Sequence, residues 1–280
     1  MILIVANEHM NLQNWYRKQG LVGIVGLILI TFSMIVLASC KSKPFMLVVP
    51  GQSKNIGNVS SPIVVQKQRS DSGRTFADWC REKASLSPET KHTVEVLLEK
   101  AGTTECEAAD RQLLSLTELT LDNNQIADIK PLASLTNLTR LSLHSNLIGN
   151  NIKPLASLTN LTLLSLDSNQ ISDIKPLASL TNLTNLGLET NQISDIKPLA
   201  SLTNLTLLSL VNNQISDIKP LASLTNLTML SLEDNEISDI KPLASLTNLT
   251  ALYLNGNLIA PKTCPLKPES ICKWELEPCP

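Results

Sequence analysis

Three histidines, six cysteines and a recurring set of carboxylates are the side chains through which this chain of 280 residues could do chemistry. Acid–base or nucleophilic catalysis needs such groups gathered in one pocket, with a base in reach of a nucleophile. His9, His92 and His144 belong to three unlike segments and cannot form a cluster. Serines and threonines are abundant, but nearly all recur at fixed intervals with no paired base. The carboxylates recur in the same way, which marks a solvated face more often than a catalytic pair. No C-x-x-C spacing occurs and no histidine accompanies the C-terminal cysteines, which disfavours a metal site. A phosphate-cradling glycine loop and a nucleophile elbow are both missing. The chain reads as a non-enzyme, with no catalytic residue, no metal and no cofactor.

What must position these groups follows from their recurrence. Residues 116–260 hold seven copies of L-x-x-L-x-L-x-x-N-x-I, beginning at Leu116, Leu138, Leu161, Leu183, Leu205, Leu227 and Leu249. The period is 22 residues, broken once by a 23-residue second copy, and this period and pattern resemble leucine-rich repeats. The L-x-L spacing is that of a short strand whose alternate side chains point inward. In the fourth copy the apolar set is Leu183, Leu186, Leu188, Ile193, Ile196, Leu199 and Leu202. Burying one such set does not offset the entropy of ordering the whole copy, so copies must stack and the two ends need caps.

The expected fold is an α/β repeat solenoid, a leucine-rich repeat horseshoe or arc with a parallel concave β-sheet and a helical N-terminal cap. The linking I-S-D-I-K-P-L-A-S-L is too short and too proline-interrupted for a long helix, so short 3-10 or extended convex segments are predicted. Asn124, Asn146, Asn169, Asn191, Asn213, Asn235 and Asn257 recur in phase with buried leucines and read as a ladder satisfying backbone groups. The D-I-K pairs, such as Asp173 with Lys175 and Asp195 with Lys197, read as a solvated charge ladder worth little per pair. The recurring N-L-T matches a glycosylation acceptor formally but follows from the repeat phase. Ile148-Gly149-Asn150-Asn151-Ile152 carries the extra residue and predicts a local convex bulge.

The copies differ from one another mainly where strand side chains point away from the core. Position three reads Glu118, Arg140, Leu163, Asn185, Leu207, Met229, Ala251, and position seven reads Asp122, His144, Asp167, Glu189, Val211, Glu233, Asn255. The functional reading is a partner-binding concave face formed by Arg140, His144, Leu163, Asp167, Glu189, Leu207, Val211, Met229, Glu233, Asp234 and Tyr253. Leu163, Leu207, Met229 and Val211 are its apolar anchors. Drift at exposed positions is the competing reading. Seven strands about 4.8 Å apart would make a strip roughly 30 Å long, enough for a peptide or a domain face.

Composition bounds the rest. Aromatics are 3% of residues, too few for a nucleic-acid stacking surface, and the net charge is -2. Residues 41–74 carry net +5 and residues 75–280 net -8, a basic tether on an acidic domain. Leu21 to Leu37 is apolar throughout, preceded by Arg17 and Lys18 and followed by Ser39-Cys40, the arrangement of an export signal. Leu37-Ala38-Ser39-Cys40 resembles the lipobox of bacterial lipoproteins, which would make Cys40 the lipidated mature N-terminus. An uncleaved single span and ordinary secretion stay open, as does Met10 in place of Met1 as the start. Outside the cytoplasm disulfides are available, and the pairs Cys80/Cys106 and Cys264/Cys272 are predicted as staples of the two caps, leaving Cys279 unassigned. The organisation read is 1–40 signal or anchor, 41–74 flexible basic linker, 75–115 helical cap, 116–260 seven repeats and 261–280 cysteine-containing cap or tail.

The run L-T-N-L-T-x-L-x-L-x-x-N-Q-I-S-D-I-K-P-L-A-S resembles the internalin-type repeats of bacterial surface proteins. Residues 75–280, with F-A-D-W-C…C-E-A-A and K-T-C-P-L-K-P-E-S-I-C at their ends, are similar to exported leucine-rich repeat proteins of cyanobacteria. The resemblance implies a fold and not the invasion of host cells. The expected function is a noncatalytic, membrane-tethered protein-binding module of the cell envelope, exported with its repeats on the extracytoplasmic side. A structural envelope spacer without concave recognition is the alternative. The partner would be a protein or peptide, with the membrane as anchor and no nucleic acid.

Overall fold

The structure, a computed structural model, describes residues 73–275, all within the compact unit spanning residues 65–280. The apolar run 21–37, Cys40, the tether up to residue 72 and Cys279 lie outside the described residues.

Three helices form the N-terminal cap. Helix α1, Phe76–Arg81, starts with a capping box: the Thr75 hydroxyl accepts from Asp78 N, and Asp78 accepts from Thr75 N. Helix α2, Pro88–Ala101, has Ser87 as its N-cap, proline in its first turn and Gly102 at φ 66° as its left-handed stop. It buries Val94, Val96, Leu97 and Leu98. Helix α3, Cys106–Leu114, is tied to α1 by the Cys80–Cys106 disulfide. Through α2 the cap also plugs the first repeat. Thr90 and Thr93 hydroxyls donate to the Asp128 carboxylate and carbonyl at 2.6 and 2.7 Å, and His92 Nε2 lies 2.6 Å from the Asn124 carbonyl oxygen. His92 is therefore a packing histidine.

Among the described residues eight strands form one sheet, parallel and in chain order. They are β1 Glu118–Thr120, β2 Arg140–Ser142, β3 Leu163–Ser165, β4 Asn185–Gly187, β5 Leu207–Ser209, β6 Met229–Ser231, β7 Ala251–Tyr253 and β8 Cys272–Lys273. Equivalent positions of successive copies are in register, as in Leu163↔Asn185↔Leu207↔Met229. The central leucine of each three-residue strand is buried, so its two neighbours face the other way. Short 3-10 segments such as Lys175–Ser179 and Lys197–Ser201 return the chain, each with proline in its first turn.

Two features depart from the reading of the sequence. The tail supplies an eighth strand, pairing Cys272 with Leu252 and Lys273 with Tyr253, and the Cys264–Cys272 disulfide holds it. The aspartates of D-I-K do more than face solvent. Asp173, Asp195, Asp217 and Asp239 each accept the backbone N–H of the lysine two residues on at 3.0 Å, initiating the 3-10 turn. The lysine ammonium is secondary, 3.8 Å from Asp173 and 4.0 Å from Asp195.

Side-chain ladders account for most of the invariant polar residues. Asn191 is a full example: its Oδ1 accepts from Asn169 N and Ile171 N, and its Nδ2 donates to the carbonyls of Leu166, Leu188 and Glu189. A second ladder runs through the N-L-T asparagines, with Asn182, Asn204 and Asn226 each donating 2.9 Å bonds to a threonine carbonyl one copy back. The inserted Asn150 is put to the same use. Its Oδ1 accepts from Ser172 N and Asp173 N at 2.8 and 2.9 Å, clamping the following copy.

Candidate interaction surface

The outward face of the sheet consists of three parallel rows running across the strands, one side chain per rung in each. Position three forms the first row, and from β2 to β7 its members are partly exposed: Arg140, Leu163, Asn185, Leu207, Met229 and Ala251. Position five, the last residue of each strand from β1 to β7, forms the middle row: Thr120, Ser142, Ser165, Gly187, Ser209, Ser231 and Tyr253. Position seven forms the third, from Asp122 through His144, Asp167, Glu189, Val211 and Glu233 to Asn255. Small residues thus floor a trough between a row with apolar anchors and a row rich in acid.

The floor and the acidic row are bonded to each other, which the sequence reading did not find. Ser142 Oγ donates to Asp122 at 2.5 Å and Ser209 Oγ to Glu189 at 2.7 Å, each reaching back one rung. In the fourth rung the floor residue is Gly187, which has no hydroxyl. Asp167 instead accepts from Ser165 of its own rung at 2.8 Å and from Glu189 N at 2.7 Å. A Cβ added to Gly187 would lie 2.8 Å from both Asp167 oxygens, so the glycine makes room for that carboxylate. Asp167 is only 4% exposed. Read from sequence as a contact residue, it is a buried member of the third row, because an aspartate is short enough to fold onto the next rung's backbone.

Glu189 and Glu233 are longer and stay partly exposed. Burial raises the Glu189 carboxyl above the ordinary glutamate range. The Ser209 bond opposes this, Asp167 adds to the rise and His144 opposes it. Burial also raises Glu233, whose own backbone N–H opposes the rise while the Glu189 and Asp234 charges add to it. The next rung places Tyr253 where four of the rungs place serine, and among the described residues no donor reaches Glu233 Oε2, which is itself buried. His144 has its Nε2 2.9 Å from Ser145 Oγ. Position eight forms an edge beyond the third row, and all seven of its residues have positive φ, from Asn123 at 58° to Gly256 at 72°. Asp234 belongs to that edge and is exposed.

Of the eleven residues singled out from sequence, Arg140, Leu163, Leu207 and Met229 fall in the first row and Tyr253 in the floor. His144, Asp167, Glu189, Val211 and Glu233 fall in the third row and Asp234 on the edge. The serines and Gly187 that floor the trough went unnoticed, though a small residue recurring between two leucines was their signal. Among the described residues no group of His, Cys, Asp and Glu is placed to hold a metal ion, and no helix is long and apolar enough to cross a membrane.

Comparison with known proteins agrees with this geometry. No curated protein matches the chain significantly. Among solved structures, internalin C2 of Listeria monocytogenes is similar, with 36% identity and a TM-score of 0.53 over 64% of this chain and 88% of its own. A second internalin from the same organism shares 32% identity over 63% of this chain and 61% of its own, with a TM-score of 0.49. A leucine-rich repeat protein of Leptospira interrogans shares 24% over 61% of this chain and 53% of its own, with a TM-score of 0.46. The family described as Leucine Rich repeats (2 copies) matches residues 114–158, 159–201, 203–245 and 225–267, more than half of the sequence. With the asparagine ladder and the parallel sheet in register over the same span, the chain belongs to the leucine-rich repeat family.

Proposed function

We propose that this chain is a noncatalytic protein-binding protein of the cell envelope that holds a protein or peptide on the outward face of its sheet. Leucine-rich repeat folds of the internalin kind are protein-interaction modules and, in general, noncatalytic scaffolds. The observation that carries the reading is the contrast between the two faces. On the convex side the residues barely change from copy to copy, and the repeated serine and asparagine tie neighbouring copies together, as Ser201 does through the Ala178 carbonyl and Asn204 through the Thr181 carbonyl. On the sheet face the outward rows change from rung to rung and place Leu163, Leu207, Met229 and Val211 where no core packing asks for an apolar residue.

Tethering rests on the N-terminal sequence. The run Leu21 to Leu37, its preceding Arg17-Lys18 and the lipobox-like Leu37-Ala38-Ser39-Cys40 support an exported chain held by lipid on Cys40 or by a single span, with its repeats outside the cytoplasm. The test is crosslinking of the full chain to its neighbours in the native envelope, beside a Leu207→Asp, Met229→Asp variant shown by circular dichroism to be folded. A neighbour lost only by the variant supports recognition on the sheet face. Equal crosslinking by both favours an envelope spacer packing through its convex and lateral faces.

A further inference from the structure

We infer that the partner segment is cationic and amphipathic: an extended polypeptide that lays lysine or arginine side chains along the third row and apolar side chains along the first. This rests on the reading of the sheet face as a binding surface. From β3 to β7 the outward positions three, five, seven and eight hold Asp167, Glu189, Glu233 and Asp234 and no lysine, arginine or histidine. The nearest cations of the face stand beyond that stretch, at Arg140 on one side and Lys273 on the other. An acidic stretch framed by cations at both ends sets the length of what it recognises. Four rung intervals at ~4.8 Å match about six residues of an extended chain at ~3.3 Å each.

The two long walls differ in chemistry. Leu163, Leu207 and Met229 offer apolar surface on one side of the serine and glycine floor, and Glu189 and Glu233 offer carboxylates on the other. A floor this small lets a partner backbone approach closely. Glu189 already accepts from Ser209, whereas Glu233 lacks the equivalent serine, and among the described residues its Oε2 receives no donor. An ammonium or guanidinium against the exposed edge of Glu233 supplies the countercharge that the repeat pattern withholds there. A neutral segment would gain the apolar contacts alone, and an acidic one would also meet like charge on the third row.

The test is fluorescence anisotropy of a labelled (Lys-Leu)4 peptide with the full chain in mild detergent, beside (Glu-Leu)4. A Glu189→Lys, Glu233→Lys variant is compared with a Glu99→Lys, Glu105→Lys variant, which makes the same change in net charge on exposed positions of the helical cap. Preferential binding of (Lys-Leu)4, weakened at least tenfold by the sheet-face pair and less than twofold by the cap pair, is expected. Equal weakening by both pairs would show only diffuse attraction to an acidic protein and would overturn the inference, as would equal binding of (Glu-Leu)4. If the envelope neighbour is lost with Leu207→Asp, Met229→Asp but kept with Glu189→Lys, Glu233→Lys, recognition by the face stands and its cationic specificity falls.

Discussion

Single residues in this molecule are judged by whether the rung beside them completes their bonding. Asn191 is completed on all sides, so Asn191→Ala leaves several buried backbone groups without partners, and a loss of about 3 kcal/mol is expected in urea unfolding. Asn204→Ala removes one exposed bond to the Thr181 carbonyl and should cost about 1 kcal/mol or less. Thr190 is the β-branched member of the left-handed column, at φ 52°, and Thr190→Gly should add about 1 kcal/mol by relieving that conformation. Glu233 is incompletely paired, and its pH dependence has a definite sign. Its folded value is raised, so across the window from the ordinary glutamate range up to that value the folded state holds a proton the unfolded chain has released. Stability contributed by this group therefore falls as pH rises through the window. Asp78, held low first by the Thr75 backbone N–H, contributes with the opposite sign, so the comparison must be with a variant. The advantage of Glu233→Gln over the parent in urea midpoint should grow across the window and then level off, and a difference independent of pH would contradict the burial effect.

At the scale of elements, the repeats were legible and the closures less so. Leucine spacing gave the strands, proline after lysine gave the 3-10 returns, and Ser87-Pro88 with Gly102 gave both ends of α2. Cap placement gave both disulfides found among the described residues. Strand β8 was hidden because Cys272–Lys273 is two residues long and lies outside the repeat pattern; its pairing comes from a neighbour already in place and a disulfide beside it. The bonding of Ser142, Ser165 and Ser209 to carboxylates was hidden because an outward serine between leucines looks like ordinary surface, and only register shows which acid it reaches. The role of β8 is testable through Cys272→Ser. Losing the staple should cost about 2 to 4 kcal/mol, and hydrogen exchange should quicken first at Leu254, whose N–H donates to the Lys273 carbonyl. Unchanged protection there would mean that β8 stays docked without its disulfide.

Across the whole molecule, stability is a sum of rungs and of the interfaces between them. Cutting out residues 183–204, one complete copy, joins Asn182 to Leu205 in unbroken phase and should yield a folded protein one rung shorter, with its far-ultraviolet circular dichroism per residue preserved. It should also unfold at lower urea. The unbroken order β1 to β8 has a consequence for how fast the fold is reached. Every strand pairs with the copy next to it in sequence, so the chain closes the same short loop again and again and never a long one. Rates of folding follow the sequence separation of contacts more than the number of residues. Assembly is then a zipper whose slow event is its first closed pair, and the chain shortened by one copy should refold at the same rate as the parent in stopped-flow dilution from urea.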